Sequence, residues 1–190
     1  MHHRKEIYIN EIKEYTERLF EDIKHIDENG NEYWLARELM PLLEYSELTE
    51  NEKRFYQRDL TRKGNYSLNI AARNAGVKNF DKFHNSGYKG LYNGETADDI
   101  AKRKKLRYRE DILDNMGSEE LADNIFRIAQ TDAKLKRDNV NNEYTANSIH
   151  YEVGKEIRNS IKRLGGTIPE DLPTPDKSSK ELEKAYILKN

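Results

Sequence analysis

The chain has no cysteine in 190 residues, which removes disulfides, thiolate metal ligands and a cysteine nucleophile together. That composition fits a reducing compartment. Apolar residues are also scarce, at 35% against 36% charged. So polar a chain has little material for a thick interior, and elongated or multi-lobed helical packing suits it better than a compact sandwich. No apolar run approaches the length of a membrane span, and the N-terminus carries no signal-peptide core. A soluble, cytoplasmic protein with no membrane partner is expected. Net charge is nearly absent, because 33 Lys and Arg offset 35 Asp and Glu to leave −2. A globally basic nucleic-acid binder is thereby excluded, and any electrostatic footprint must be local.

The constellations that carry catalysis are missing as well. The five histidines (2, 3, 25, 84 and 150) show no paired spacing of the H-x-x-x-H kind, so neither a metal site nor a cofactor is expected. His84 and His150 fall in helical segments and suit core-edge positions better than general bases. There is no G-x-S-x-G elbow and no Walker lysine loop. Acidic clusters such as "ADD" and "SEE" stand at helix starts, where the helix dipole explains them. The sequence supports no enzymatic activity.

Helical stripes are what the chain has in abundance. Residues 4–19 place Ile9, Ile12, Tyr15 and Leu19 on one face. Asn29-Gly30, between two short runs, predicts a β-hairpin, since both residues tolerate positive φ. A short helix follows over 35–45. From Leu48 onward strand signals disappear. Thr49 is a fitting N-cap for a helix closing at Gly64, followed by short helices ended by Gly76 and by Gly87. Thr96 with Asp99 forms an acidic capping box for a helix from about residue 97, and Ser118 begins another. Residues 143–164 form the clearest helix, with Ala146, Ile149, Val153, Ile157, Ile161 and Leu164 on one stripe and Gly165-Gly166 as the stop. That stripe could seat against the rest of the chain or against a second copy. "TIPEDLPTPDKSS" holds three of the four prolines and predicts an extended strap over 167–176, before a last helix at 179–187. The expected architecture is mainly α, a multi-helix domain with a small N-terminal β-hairpin, divided into 1–46 and 47–190.

Two stretches stand out as contact candidates. "FHNSGYKGLYNG", residues 83–94, is glycine-rich, but phosphate-cradling glycines follow a buried strand and these follow a predicted helix. Gly87 as a helix stop, with Gly90 and Gly94 as turn residues, explains the stretch without a ligand. The run "KRKKLRYR" sets Lys102, Arg103, Lys104, Lys105, Arg107 and Arg109 in eight positions, enough on a helix to wrap more than one face. Two explanations stand side by side. The run is a solvated segment balanced by Asp98, Asp99, Glu110 and Asp111, or it meets phosphates while Tyr88, Tyr92 and Tyr108 offer stacking surfaces.

"WLARELMPLLEYS", "FHNSGYKGLYNG", "ILDNMGSEELADNIFRIAQTDAKLKRD" and "NSIHYEVGKEIRNSIKRLGGTIPEDLPTP" resemble, in order, the bacterial DNA-damage-inducible protein D family, whose N-terminal part is similar to the BRO-N antirepressor domain. The resemblance covers roughly 20–46 and 48–184. It implies a non-enzymatic SOS-response protein whose partners are RecA-type recombinase filaments and single-stranded DNA. Family members carry a much longer segment where Ser46 here runs through Glu47 into Leu48, so the BRO-N-like part is abbreviated. The site expected on these grounds is Tyr88, Lys89, Tyr92, Lys102, Arg103, Lys104, Lys105, Arg107 and Arg109. A repressor protein and a second copy of the chain are the other partner classes.

Overall fold

The computed structural model describes residues 49–108 and 110–189, with side chains to residue 184, together with the backbone of two short strands. These strands, β1 His25–Ile26 and β2 Glu32–Tyr33, pair antiparallel with His25 opposite Tyr33. The turn expected at Asn29-Gly30 and the helices expected at 4–19 and 35–45 lie outside the described residues. The chain divides after Glu47 into two units. Among the described residues the second unit is all-helical, with six α-helices and two single 3₁₀ turns.

Helix α1, Glu50–Asn74, starts as the sequence requires: the Thr49 N–H donates to the Glu52 carboxylate at 2.8 Å, and the Glu52 N–H reaches the Thr49 hydroxyl. It does not stop at Gly64. A methyl group there would come within 3.0 Å of Ile128 Cγ2, so this glycine lets another helix pack close, and the two expected helices are one. Gly76, at φ +81°, supplies the left-handed stop after the helix.

Helix α2, Phe80–Leu91, is capped by Asn79, which accepts from the Lys82 N–H at 2.9 Å. It runs through Gly87 and Gly90, so the expected stop at Gly87 is wrong. Asn93 and Gly94, both at positive φ, end it instead. Helix α3, Ala97–Arg103, has the expected Thr96/Asp99 capping box. It closes in a Schellman turn, with the Leu106 N–H on the Ala101 carbonyl at 2.9 Å and Lys105 left-handed at φ +56°. Among the described residues of the basic run only Lys102 and Arg103 are therefore helical, and the expectation that the run wraps one helix is overturned.

Helices α4 (Ser118–Arg137), α5 (Glu143–Leu164) and α6 (Ser179–Lys189) complete the unit. The α1 helix lies along α4, α2 lies along α5, and α4 against α5 joins the two pairs. One apolar cluster forms where α1, α2, α4 and α5 meet, around Leu68, Ala72, Phe83, Ile128 and Ala146. A second gathers Leu91, Tyr92, Ile100, Met116, Leu121 and Ile157. Each fully buried Leu, Ile or Phe in these clusters contributes about 1.5–3 kcal/mol by leaving water. Most of the α5 stripe is used here, with Ala146 and Ile157 buried, Ile149 packed against the first cluster and Val153 and Ile161 against the second, while Leu164 at its end is exposed.

The α2–α5 crossing explains the glycines of residues 83–94. A Cβ on Gly154 would come within 2.7 Å of the Gly87 carbonyl oxygen and 2.8 Å of the Leu91 nitrogen, and one on Gly90 would overlap the Tyr151 carbonyl. The two backbones touch, which only glycine permits. The His150 Nδ1 bond to the Phe83 carbonyl (3.0 Å) and the Arg158 bond to the Leu91 carbonyl (3.4 Å) are eight residues apart on both helices, so α2 and α5 run parallel and in register.

Candidate nucleic-acid interface

The nine residues expected to contact a partner separate into two groups once folded. Tyr88 and Tyr92 lie on the inner face of α2 and are 8% and 0% exposed. A ring enclosed on both faces has no surface for a base, so neither offers a stacking platform. Lys104, at the end of α3, is also buried, and its Nζ meets the Glu120 carboxylate at 2.7 Å with both side chains out of water. Arg103 is half-buried. Its Nε pairs with the Glu95 carboxylate at 3.0 Å, its terminal nitrogen donates to the Glu170 carbonyl at 3.1 Å, and its guanidinium lies over the Tyr92 ring. These four residues build the fold and leave the contact set.

Lys89, Lys102, Lys105 and Arg107 remain, all exposed. Lys89 and Lys102 both act on the Asp99 carboxyl, which the Thr96 hydroxyl bond chiefly holds below its ordinary range. Arg107 is almost wholly exposed, stands 3.9 Å from the Glu110 carboxylate and also acts on the Glu181 carboxyl. Arg109 lies outside the described residues. The run is thus neither a free cationic strip nor a neutralised one: two consecutive residues, Arg103 and Lys104, anchor inward, and Lys102, Lys105 and Arg107 on either side of them face outward.

The anchor is a polar chain through the interior that sequence reasoning missed. Glu120 and Asn124 on α4 meet at the Tyr92 hydroxyl, which donates to the Glu120 carboxylate at 3.1 Å and accepts from Asn124 Nδ2 at 2.7 Å. The Arg127 guanidinium donates to Asn124 Oδ1 at 3.0 Å and to His150 Nε2, and it lies 4.8 Å over the Tyr88 ring. His150 accepts from Arg127 on Nε2 and donates from Nδ1 to the Phe83 carbonyl, which is the bonding of a neutral ring. Burial, with Arg127 beside it, pushes the His150 imidazole well below its ordinary value. Burial raises the Glu120 carboxyl, and Lys104 partly restores it. Burial likewise drives the Tyr92 phenol well up.

A signal for this chain was present in the sequence. Glu120, Asn124, Arg127 and Thr131 recur at steps of four, three and four alongside Leu121, Ile128 and Leu135, where an amphipathic helix should be apolar. The same logic holds the strap. Arg54 on α1 is 2% exposed and donates to the carbonyls of Met116 (3.0 Å), Asp114 (3.1 Å) and Lys177 (2.9 Å). Arg158 on α5 pairs with the Glu170 carboxylate. A cavity of about 490 Å³ opens between the strap and the start of α1, lined by Glu50, Asn51, Arg54, Pro173, Pro175 and Lys177, and the buried Arg54 on its wall is already engaged by three carbonyls.

Among the described residues no group of three or more His, Asp or Glu is placed to hold a metal ion. No helix among them is long and apolar enough to cross a membrane. What the surface can do chemically is present cations on a rigid base. The family model for the DinD C-terminal domain matches residues 48–182. The chain is 47% identical over 144 residues to the DNA damage-inducible protein D of Escherichia coli (strain K12), an alignment covering 74% of this chain and 53% of that protein. It thus spans about half the length of that relative. No solved structure matches.

Proposed function

This chain belongs to the family defined by the DinD C-terminal domain, and from that premise we propose that it is a non-enzymatic protein of the DNA-damage (SOS) response that works by binding. Its partners in this proposal are RecA-type recombinase filaments and the single-stranded DNA they coat, met in the cytoplasm. Residues 1–46 are the remainder of a BRO-N-like domain on the same proposal. The observation that supports binding over chemistry is the division of the basic run. Lys104 and Arg103 are fixed inward by Glu120 and Glu95, so the exposed Lys102, Lys105 and Arg107 flank and cap a locked helix end. A preorganised cationic turn loses little entropy when it meets phosphate or an acidic protein surface.

The test is a triple variant, Lys102→Ala/Lys105→Ala/Arg107→Ala, which spares the structural Arg103 and Lys104. Binding to single-stranded DNA and co-sedimentation with recombinase filaments are followed over a salt titration. Three lost phosphate contacts should flatten the log–log salt slope for single strands by about 2. An unchanged slope with unchanged filament binding sinks the assignment.

A further inference from the structure

We infer that the solvent face of the α2–α5 pair is a second contact surface, a platform for single-stranded nucleic acid. It rests on the functional proposal above only in taking nucleic acid as the partner class. The two helices are parallel and in contact at Gly87, Gly90 and Gly154, and their apolar sides turn inward together through Leu91 and Tyr92 on α2 and Val153 and Ile157 on α5. Their opposite sides therefore form one continuous face. On α2 that face carries Lys82 and Lys89, two turns apart, and on α5 it carries Tyr144, Tyr151, Lys155 and Lys162, all exposed. The positions that complete the α5 row at helical spacing are Ser148 and Asn159, so neither row contains a carboxylate.

Tyr144 is 84% exposed and Tyr151 38%, while the tyrosines of the inner face are enclosed. Tyr144 thus stands almost wholly in water and Tyr151 keeps more than a third of its surface open, on the face that carries four exposed lysines. Carboxylates border the face without closing it. Glu143 accepts from the Lys78 and Asn79 backbone N–H groups at 2.8 and 3.4 Å, and Asp99 closes its own helix cap. Glu152 and Glu156 each stand one position past the row, about 100° further round α5, and Glu152 comes no nearer than 4.0 Å to Lys155. Exposed rings spaced along a cationic surface suit unpaired bases and a phosphate backbone, since every base has a face to stack and every linkage a charge to neutralise. A rigid duplex would reach the lysines but leave the rings unused.

The experiment is fluorescence anisotropy of a labelled oligothymidylate of about 30 nucleotides with the full chain, across a salt series. Variants are Tyr144→Ala/Tyr151→Ala, the same pair to Phe, and Lys82→Ala/Lys155→Ala/Lys162→Ala, with melting temperatures confirming that each folds. The Ala pair should weaken binding at least tenfold while the Phe pair binds as the parent does, and the lysine variant should flatten the salt slope by about 2. If both Ala variants bind as the parent while the Lys102/Lys105/Arg107 variant fails, the platform is refuted and the proposed function stands. If the parent itself does not bind oligothymidylate at low salt, the platform is also refuted. Filament co-sedimentation, run in parallel, then decides the functional proposal separately.

Discussion

Replacing Lys104 by Met keeps an alkyl chain in the interior but leaves the Glu120 carboxylate without its cation. In the parent the two charges stand 2.7 Å apart with both side chains fully buried, and Glu120 also receives the Tyr92 hydroxyl at 3.1 Å. Breaking one partner of such a pair costs about 3–5 kcal/mol. Protonation sets a ceiling, because Glu120 can escape its isolation by taking up a proton. Its ordinary value is 4.5, and each pH unit above that costs about 1.4 kcal/mol, so neutralising it at pH 7 costs about 3.4 kcal/mol. The sign follows from the raised folded-state value. Below pH 4.5 the carboxyl is protonated folded or unfolded and the variant loses little; burial raises it in the parent as well, so the deficit grows as pH rises past the parent's own raised value toward neutrality. Urea unfolding of parent and Lys104→Met from pH 5 to pH 8 should show a gap that widens with pH by at most about 1.4 kcal/mol per pH unit and stays within about 3.4 kcal/mol at pH 7. The double variant Lys104→Met/Glu120→Gln should remove the pH dependence and recover much of the loss. A deficit under about 1 kcal/mol at pH 7, or one independent of pH, would refute a desolvated pair in this position.

Two further outcomes test the rest of the frame. Gly90→Ala forces a methyl group onto the Tyr151 carbonyl and within 2.9 Å of the Lys155 nitrogen, and should cost about 3 kcal/mol in chemical unfolding; Gly94→Ala, with open space around it and only a left-handed φ to strain, should cost about 1 kcal/mol, and equal costs would contradict the close crossing. The His84 imidazole is held down to about 4, first by burial and then by Arg127, so stability is fully present above the ordinary value of 6.5 and is lost as pH falls from 6.5 toward 4; His84→Gln should make that decline shallower, and an unchanged acid slope in urea midpoints would reject the assignment.

Local chemistry was legible in the sequence because caps and stops are decided within a few residues. The Thr49 cap, the Thr96/Asp99 box, the Gly76 and Gly165 stops and the long helix at 143–164 all follow from side chains that bond their own backbone or from a residue that tolerates positive φ. Family membership was legible too, since it lies in the order of motifs, which folding does not alter. Glycine inside a helix was not. Gly64 and Gly87 look like stops when only neighbours in sequence are considered, and they became interior positions because Ile128 and α5 approach them from far along the chain. Charge in the basic run was opaque for the same reason. Six cations in eight positions fix a high local charge, but which of them face water depends on where Glu95, Glu120 and Glu170 arrive in space. The sequence by itself determined the helical elements, most of their boundaries and the absence of recognisable catalytic motifs. The tertiary structure alone decided that Tyr88, Tyr92, Arg103 and Lys104 serve the core while Tyr144, Tyr151 and a row of lysines face solvent, because burial is a property of helix pairing and no spacing along one chain segment contains its partner's position.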